Sequence, residues 1–119
     1  MNNYNNYYRN YIIYLMAYAE LQPLKDRVAE LVTRYENALE NAKAFGQETL
    51  DFVARHLYEM TGDIMMSLLI LRDASVAPEL FAKSAHVYVR LAEADVARHQ
   101  AFMATVKEEN LENYSSNIG

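Results

Sequence analysis

The chain has 119 residues, 52% of them hydrophobic, with a net charge of −5 and no cysteine. That length can bury roughly two-thirds of its unfolded surface in one core without staples. The composition excludes disulfides and thiolate chemistry and disfavours nucleic-acid binding, which needs clustered Lys and Arg against phosphates. No run approaches the eighteen or so apolar residues of a membrane span.

Only three Gly and two Pro occur, so few residues break helices, and the many Ala, Leu, Glu and Met favour long ones. The missing Cys fits a reducing, cytoplasmic setting.

The first predicted element is MNNYNNYYRNYIIYLMAYAE. Tyr4, Tyr8, Tyr11, Leu15 and Tyr18 recur at steps of four and three, the spacing of one helix face, which predicts a helix over roughly 4–20. A secretion signal instead needs a basic start and an unbroken apolar stretch before its cleavage site. Here only Arg9 is basic and tyrosines interrupt the apolar run.

Pro23 predicts a break, because proline suits a first helical turn and not an interior. A second helix is expected over roughly 22–45, with Leu24, Val28, Leu31, Tyr35, Ala38 and Ala42 on its inner face and Gly46 as its stop. The third, roughly 48–74, carries Val53, Leu57, Met60, Ile64, Ser67 or Leu68, and Leu71 inward. Its run Ile64–Leu71 reads IMMSLLIL, apolar on nearly every side, which predicts a central position or a subunit contact on its second face. Pro78 opens a fourth helix, roughly 78–108. It has one stripe through Phe81, Ala85, Tyr88, Ala92, Asp95, His99, Phe102 and Val106, and a neighbouring one through Leu80, Val87, Leu91 and Ala94. The tail 110–119 is polar and expected to be loose. Long amphipathic helices with short links predict a single all-α domain, an up-down antiparallel four-helix bundle.

Candidate chemistry is sparse. The Glu-x-x-His spacing of carboxylate-bridged metal bundles is absent; His56 and Glu59 have the reverse order. Asp95 and His99, four apart, read as a buried polar pair in which the carboxylate orients the ring. Asp63, between Gly62 and the apolar run, reads as a partly buried carboxylate fixing helix register or an interface. Met65, Met66, Leu69 and Tyr88 are candidates for lining an interface or pocket. No catalytic, cofactor-binding or metal-ligating residue is assigned, and no phosphate-binding or nucleophile motif occurs.

Two stretches, ARHLYEMTGDIMMSLLILRDA (54–74) and ELFAKSAHVYVRLAEADVARHQAF (79–102), resemble the C-terminal helical region of bacterial acyl-CoA dehydrogenases. The likeness is closest to the extended subgroup with an extra helical domain after the flavin-binding core. LQPLKDRVAELVTRY (21–35) is similar to the helix leading into that region. The resemblance implies a parent flavoenzyme with FAD that oxidises acyl-CoA thioesters. The rest of the catalytic core is not represented, nor is a Gln-x-x-Gly-Gly stretch, so neither the family's catalytic Glu nor a flavin contact transfers to any position here. The implied role is packing on the dehydrogenase core or association of subunits in a homo-oligomer, without a complete active site. The alternative is an independent helical module that binds an acyl chain or a partner helix.

Overall fold

A computed structural model of the chain describes the backbone of residues 3–109 and the side chains of residue 19 and residues 21–106. Among the described residues there are three helices and no strand: α1 Asn3–Ala44, α2 Gln47–Val76 and α3 Pro78–Glu109. The fold is therefore all-helical, but with three helices where four were expected. The tail 110–119 and the packing of the Tyr4–Tyr18 row lie outside the described residues.

The correction falls at Pro23, which sits inside α1. An interior proline removes one backbone hydrogen bond and costs about 3 kcal/mol. Leu21 and Leu24 flank it and are both fully buried, each contributing about 2 kcal/mol. Pro23 and Ala19 are themselves exposed, so the carbonyl left without a donor lies on the solvent side. Packing on either side of the proline outweighs the local break.

Two tight turns reverse the chain. Gly46 follows α1 with φ at 102°, a backbone region that glycine enters without a Cβ penalty. Gly46 N–H donates to the Lys43 carbonyl at 3.0 Å, and the Gly46 carbonyl accepts from Leu50 N–H at 3.1 Å. Ala77 alone separates α2 from α3. Its N–H donates to the Asp73 carbonyl, and its carbonyl accepts from Leu80 and Phe81 as Pro78 starts the next helix. α2 is thus antiparallel to both neighbours, and α1 runs parallel to α3. Two contacts spaced seven residues apart on each helix set that register: Arg27 grips Glu93 through both Nε and Nη2, and Arg34 Nε donates to Gln100 Oε1 at 2.8 Å.

Two apolar clusters fill the interior. Beside Ala77 lie Leu21, Leu24, Val28, Leu71, Ala74, Ala85 and Val89. Toward Gly46 lie Leu31, Ala38, Ala42, Val53, Leu57, Met60, Ile64, Ala92 and Val96. Leu21 packs with Leu71, Ala74 and Ala85. The offset of Arg27 to Glu93 and of Arg34 to Gln100 places residue 12 about level with Pro78, so α1 runs about nine residues past the α2–α3 turn.

The Ile64–Leu71 run is not enclosed. Ile64, Ser67 and Leu71 face the core, while Met65, Met66, Leu68 and Leu69 are exposed.

Candidate functional site

α2 and α3 share a polar cluster within the half of the core nearer Gly46. His56, Glu59 and Asp63 lie on one stripe of α2, at steps of three and four; Asp95, Arg98 and His99 come from α3. The one-residue turn aligns them, since Glu59 and Asp95 each stand eighteen residues from Ala77.

His99 is completely buried. Its Nε2 lies 3.1 Å from Glu59 Oε2 and 3.3 Å from Asp95 Oδ2. Two carboxylate acceptors require a proton on that nitrogen. His99 Nδ1 lies 2.7 Å from His56 Nδ1. A neutral His99 accepts there from His56 N–H, and a charged one donates. Burial, and then the charge of His99, lower the His56 pKa, and its ring stacks on Phe102 with centroids 4.2 Å apart. Arg98 Nη2 donates to Asp95 Oδ1 at 2.8 Å and lies 3.9 Å from Glu59 Oε2.

Asp63 completes the group. Its Oδ2 is buried with no hydrogen-bond partner, an arrangement costly for an ionised carboxylate. Burial, followed by a hydrogen bond to Asp95 and the charges of Asp95 and Glu59, pushes Asp63 up to about 7. The same hydrogen bond, together with Arg98, holds Asp95 low. The two carboxylates titrate as a pair in which Asp63 takes up a proton more readily than Asp95. Ser67, fully buried, donates to the Asp63 carbonyl at 2.8 Å.

Asp63, Asp95 and His99 bring ligand atoms within 4.8 Å of one another. Their partners are already internal: Arg98 holds Asp95, and the Nε2 proton of His99 faces Glu59 and Asp95. What the cluster does chemically is hold a proton and lock a register. Sliding α2 by one turn would part His56 from His99 and leave a buried imidazole facing hydrocarbon.

The second feature is on the outside. Met66, Leu69 and Ile70 of α2 face Val87, Tyr88 and Leu91 of α3 across a groove of about 630 Å³, with Arg72, Asp73 and Lys83 at its edges. The structure thus brings Met66, Leu69 and Tyr88 together. Met65 is 55% exposed against 51% for Met66, yet it is not part of the groove lining. Tyr88 is half-buried, and its hydroxyl pKa is raised by burial and then by the charges of Asp63 and Asp95, so it stands between groove and cluster. Asp95 and His99 lie in the cluster, as described.

The His56–His99 contact and the part played by Arg98 were not read from the sequence. The signal for them was the short break before Pro78, which sets which residues of α2 and α3 stand level.

No helix among the described residues is long and apolar enough to cross a membrane. A protein-family model described as "Acyl-CoA dehydrogenase C terminal" matches residues 2–111. Comparison with curated proteins and with solved structures gives no match.

Proposed function

The chain belongs to the acyl-CoA dehydrogenase C-terminal family, and from that membership we propose that it is an assembly domain of a flavoenzyme of this kind. Its work is to pack on the enzyme core or to join subunits, with the oxidation carried out elsewhere in the enzyme. The observation that supports this reading is the outer face of α2 and α3. Met66, Leu69, Val87 and Leu91 are all exposed side by side there, although each helix already buries a full apolar face inward. A contiguous apolar surface of this kind marks an interaction site.

FAD, which the family implies for the parent enzyme, does not fit the described residues. Among the described residues the backbone is helix broken only at 45–46 and 77, and neither break forms the glycine-rich loop that cradles a pyrophosphate. No step through a flavin is assigned to this chain.

An acyl chain is a poorer occupant of the groove. A small-molecule site encloses most of its ligand, whereas the four residues above stay roughly half exposed.

Light scattering on the eluting protein tests the proposal. The chain should exceed its 13.7 kDa monomer mass increasingly with concentration. Val87→Glu, a charge on an exposed position, should return it to the monomer with its helical circular dichroism unchanged. A strict monomer at every concentration would remove subunit joining and leave docking on the core.

A further inference from the structure

We infer that the outer faces of α2 and α3 pair with the same faces of a second copy of this chain, about a two-fold axis that runs along the helices. The inference rests on the assembly reading above and names its partner and register.

Each of the two helices carries a second seam on its outer side. On α2, Gly62, Met66, Leu69, Asp73 and Val76 recur at steps of four and three. On α3, Leu80, Ser84, Val87, Leu91 and Ala94 do the same. All are exposed except the half-buried Asp73. A repeat of 3.5 residues keeps one helix facing another along its length. The inner faces already meet α1 in the two core clusters, whereas these outer seams stay in solvent. Past Gly62 and Ala94 the next seam positions are Glu59 and Arg98, both engaged with the polar cluster through His99 and Asp95. There the apolar stretch ends.

The turn at Ala77 sets the register. With the axis along the helices, α2 of one copy lies against α3 of the other at equal distances from the turn. Val76 then meets Leu80, Met66 meets Val87, and Leu91 falls on Gly62. Gly62 has the room, since a Cβ built there meets nothing within 4 Å, so the leucine enters against bare backbone. Asp73, which Arg72 approaches only to 3.8 Å, stands four residues before Ala77, and Lys83 stands six after it. Across the axis these two meet, and symmetry makes that ion pair twice. An axis across the helices would instead set α2 on α2 and carry Asp73 to the level of Gly62, away from Lys83.

The area fits a reversible pair. Each seam is about 21 Å long and two helices side by side are about 20 Å wide. The two copies together therefore cover on the order of 1,000 Å², near the lower edge for a specific interface.

Because the chain has no cysteine, single cysteines report the register. Val76→Cys chains are mixed with Leu80→Cys chains, and separately with Ala94→Cys chains, under a short bis-maleimide. Peptide mass spectrometry identifies the positions joined; each chain has one thiol, so every bond joins two copies. The Val76–Leu80 product, at twice the 13.7 kDa chain mass, should form at least several-fold more than the Val76–Ala94 product, whose positions lie at opposite ends of the seam. Light scattering on the unsubstituted chain separates the outcomes. A dimer whose Val76–Leu80 product does not exceed the Val76–Ala94 product overturns this inference and leaves subunit association standing. A strict monomer overturns both this inference and the self-association on which it rests.

Discussion

The half of the three-helix core beside Ala77 and the half toward Gly46 are joined in different ways. Near Ala77 the described core residues are apolar, with Leu21, Leu24, Val28, Leu71, Ala74, Ala85 and Val89 in one cluster. Toward Gly46 a comparable apolar cluster is edged by His56, Glu59, Asp63, Asp95 and His99. Burial of apolar area stabilises without regard to direction, at about 25 cal/mol per Å². Polar groups inside a protein cost desolvation and are tolerated only when their partners stand level. The first half thus supplies adhesion, and the second supplies alignment at some expense in stability.

Substitutions can break or sharpen that contrast. Leu24→Ala, in the hydrocarbon half, should cost about 3 kcal/mol, since the deleted methyl groups leave a cavity bounded by three helices. Denaturant unfolding followed by circular dichroism reads it directly, with no dependence on pH.

The polar half should behave otherwise. Asp63 has its folded pKa raised from 3.8 to about 7, so the folded chain keeps a proton that the unfolded chain releases. The stabilisation this gives is complete below pH 3.8 and is lost as pH rises toward 7. Asp95, held low, contributes in the opposite sense: its share is present above 3.8 and is lost on further acidification. The pair is therefore most favourable near pH 4–5. Asp63→Asn keeps an N–H donor toward Asp95 and abolishes the decline. The variant should be about 1–2 kcal/mol more stable than the parent at pH 8, allowing for the water that reaches this half-buried position, and should have no advantage at pH 4. His56, whose pKa is lowered, loses stability as pH falls below 6.5 in parent and variant alike, so the difference between the two isolates Asp63.

The smallest effect belongs to the rim. Arg27→Ala removes the two-pronged grip on Glu93 between α1 and α3. Both side chains are partly exposed, so the loss should stay under about 1 kcal/mol and shrink in high salt. Glu93 is held low by Arg27, and the contribution therefore fades on acidification below the ordinary Glu range.

The all-helical character was legible because breakers are scarce and apolar spacing is regular. The inner face of α2, from Val53 through Met60 to Leu71, follows from that spacing alone. Pro23 misled because local chemistry at the proline says nothing of Leu21 and Leu24, whose burial holds the helix through it. On α3 the expected stripe omitted Val89 and Val96, both fully buried. This helix faces α1 and α2 together, so its buried arc is wider than one row of residues. The Asp95–His99 spacing is local and visible in sequence. The His56–His99 contact depends on the level at which two helices meet, which no single helix encodes. Likewise Ile64–Leu71 is apolar throughout, but which of its residues are left outside depends on where α1 packs.

Adjacent methionines give the most direct test of whether that outside face is covered. Met65 and Met66 are similarly exposed in the single chain, but only Met66 lines the groove. Brief hydroxyl-radical oxidation, read residue by residue by mass spectrometry at low and high protein concentration, should show Met66 becoming severalfold protected while Met65 stays reactive. Equal oxidation of the two at every concentration would contradict a groove covered by a second copy and, with it, subunit joining.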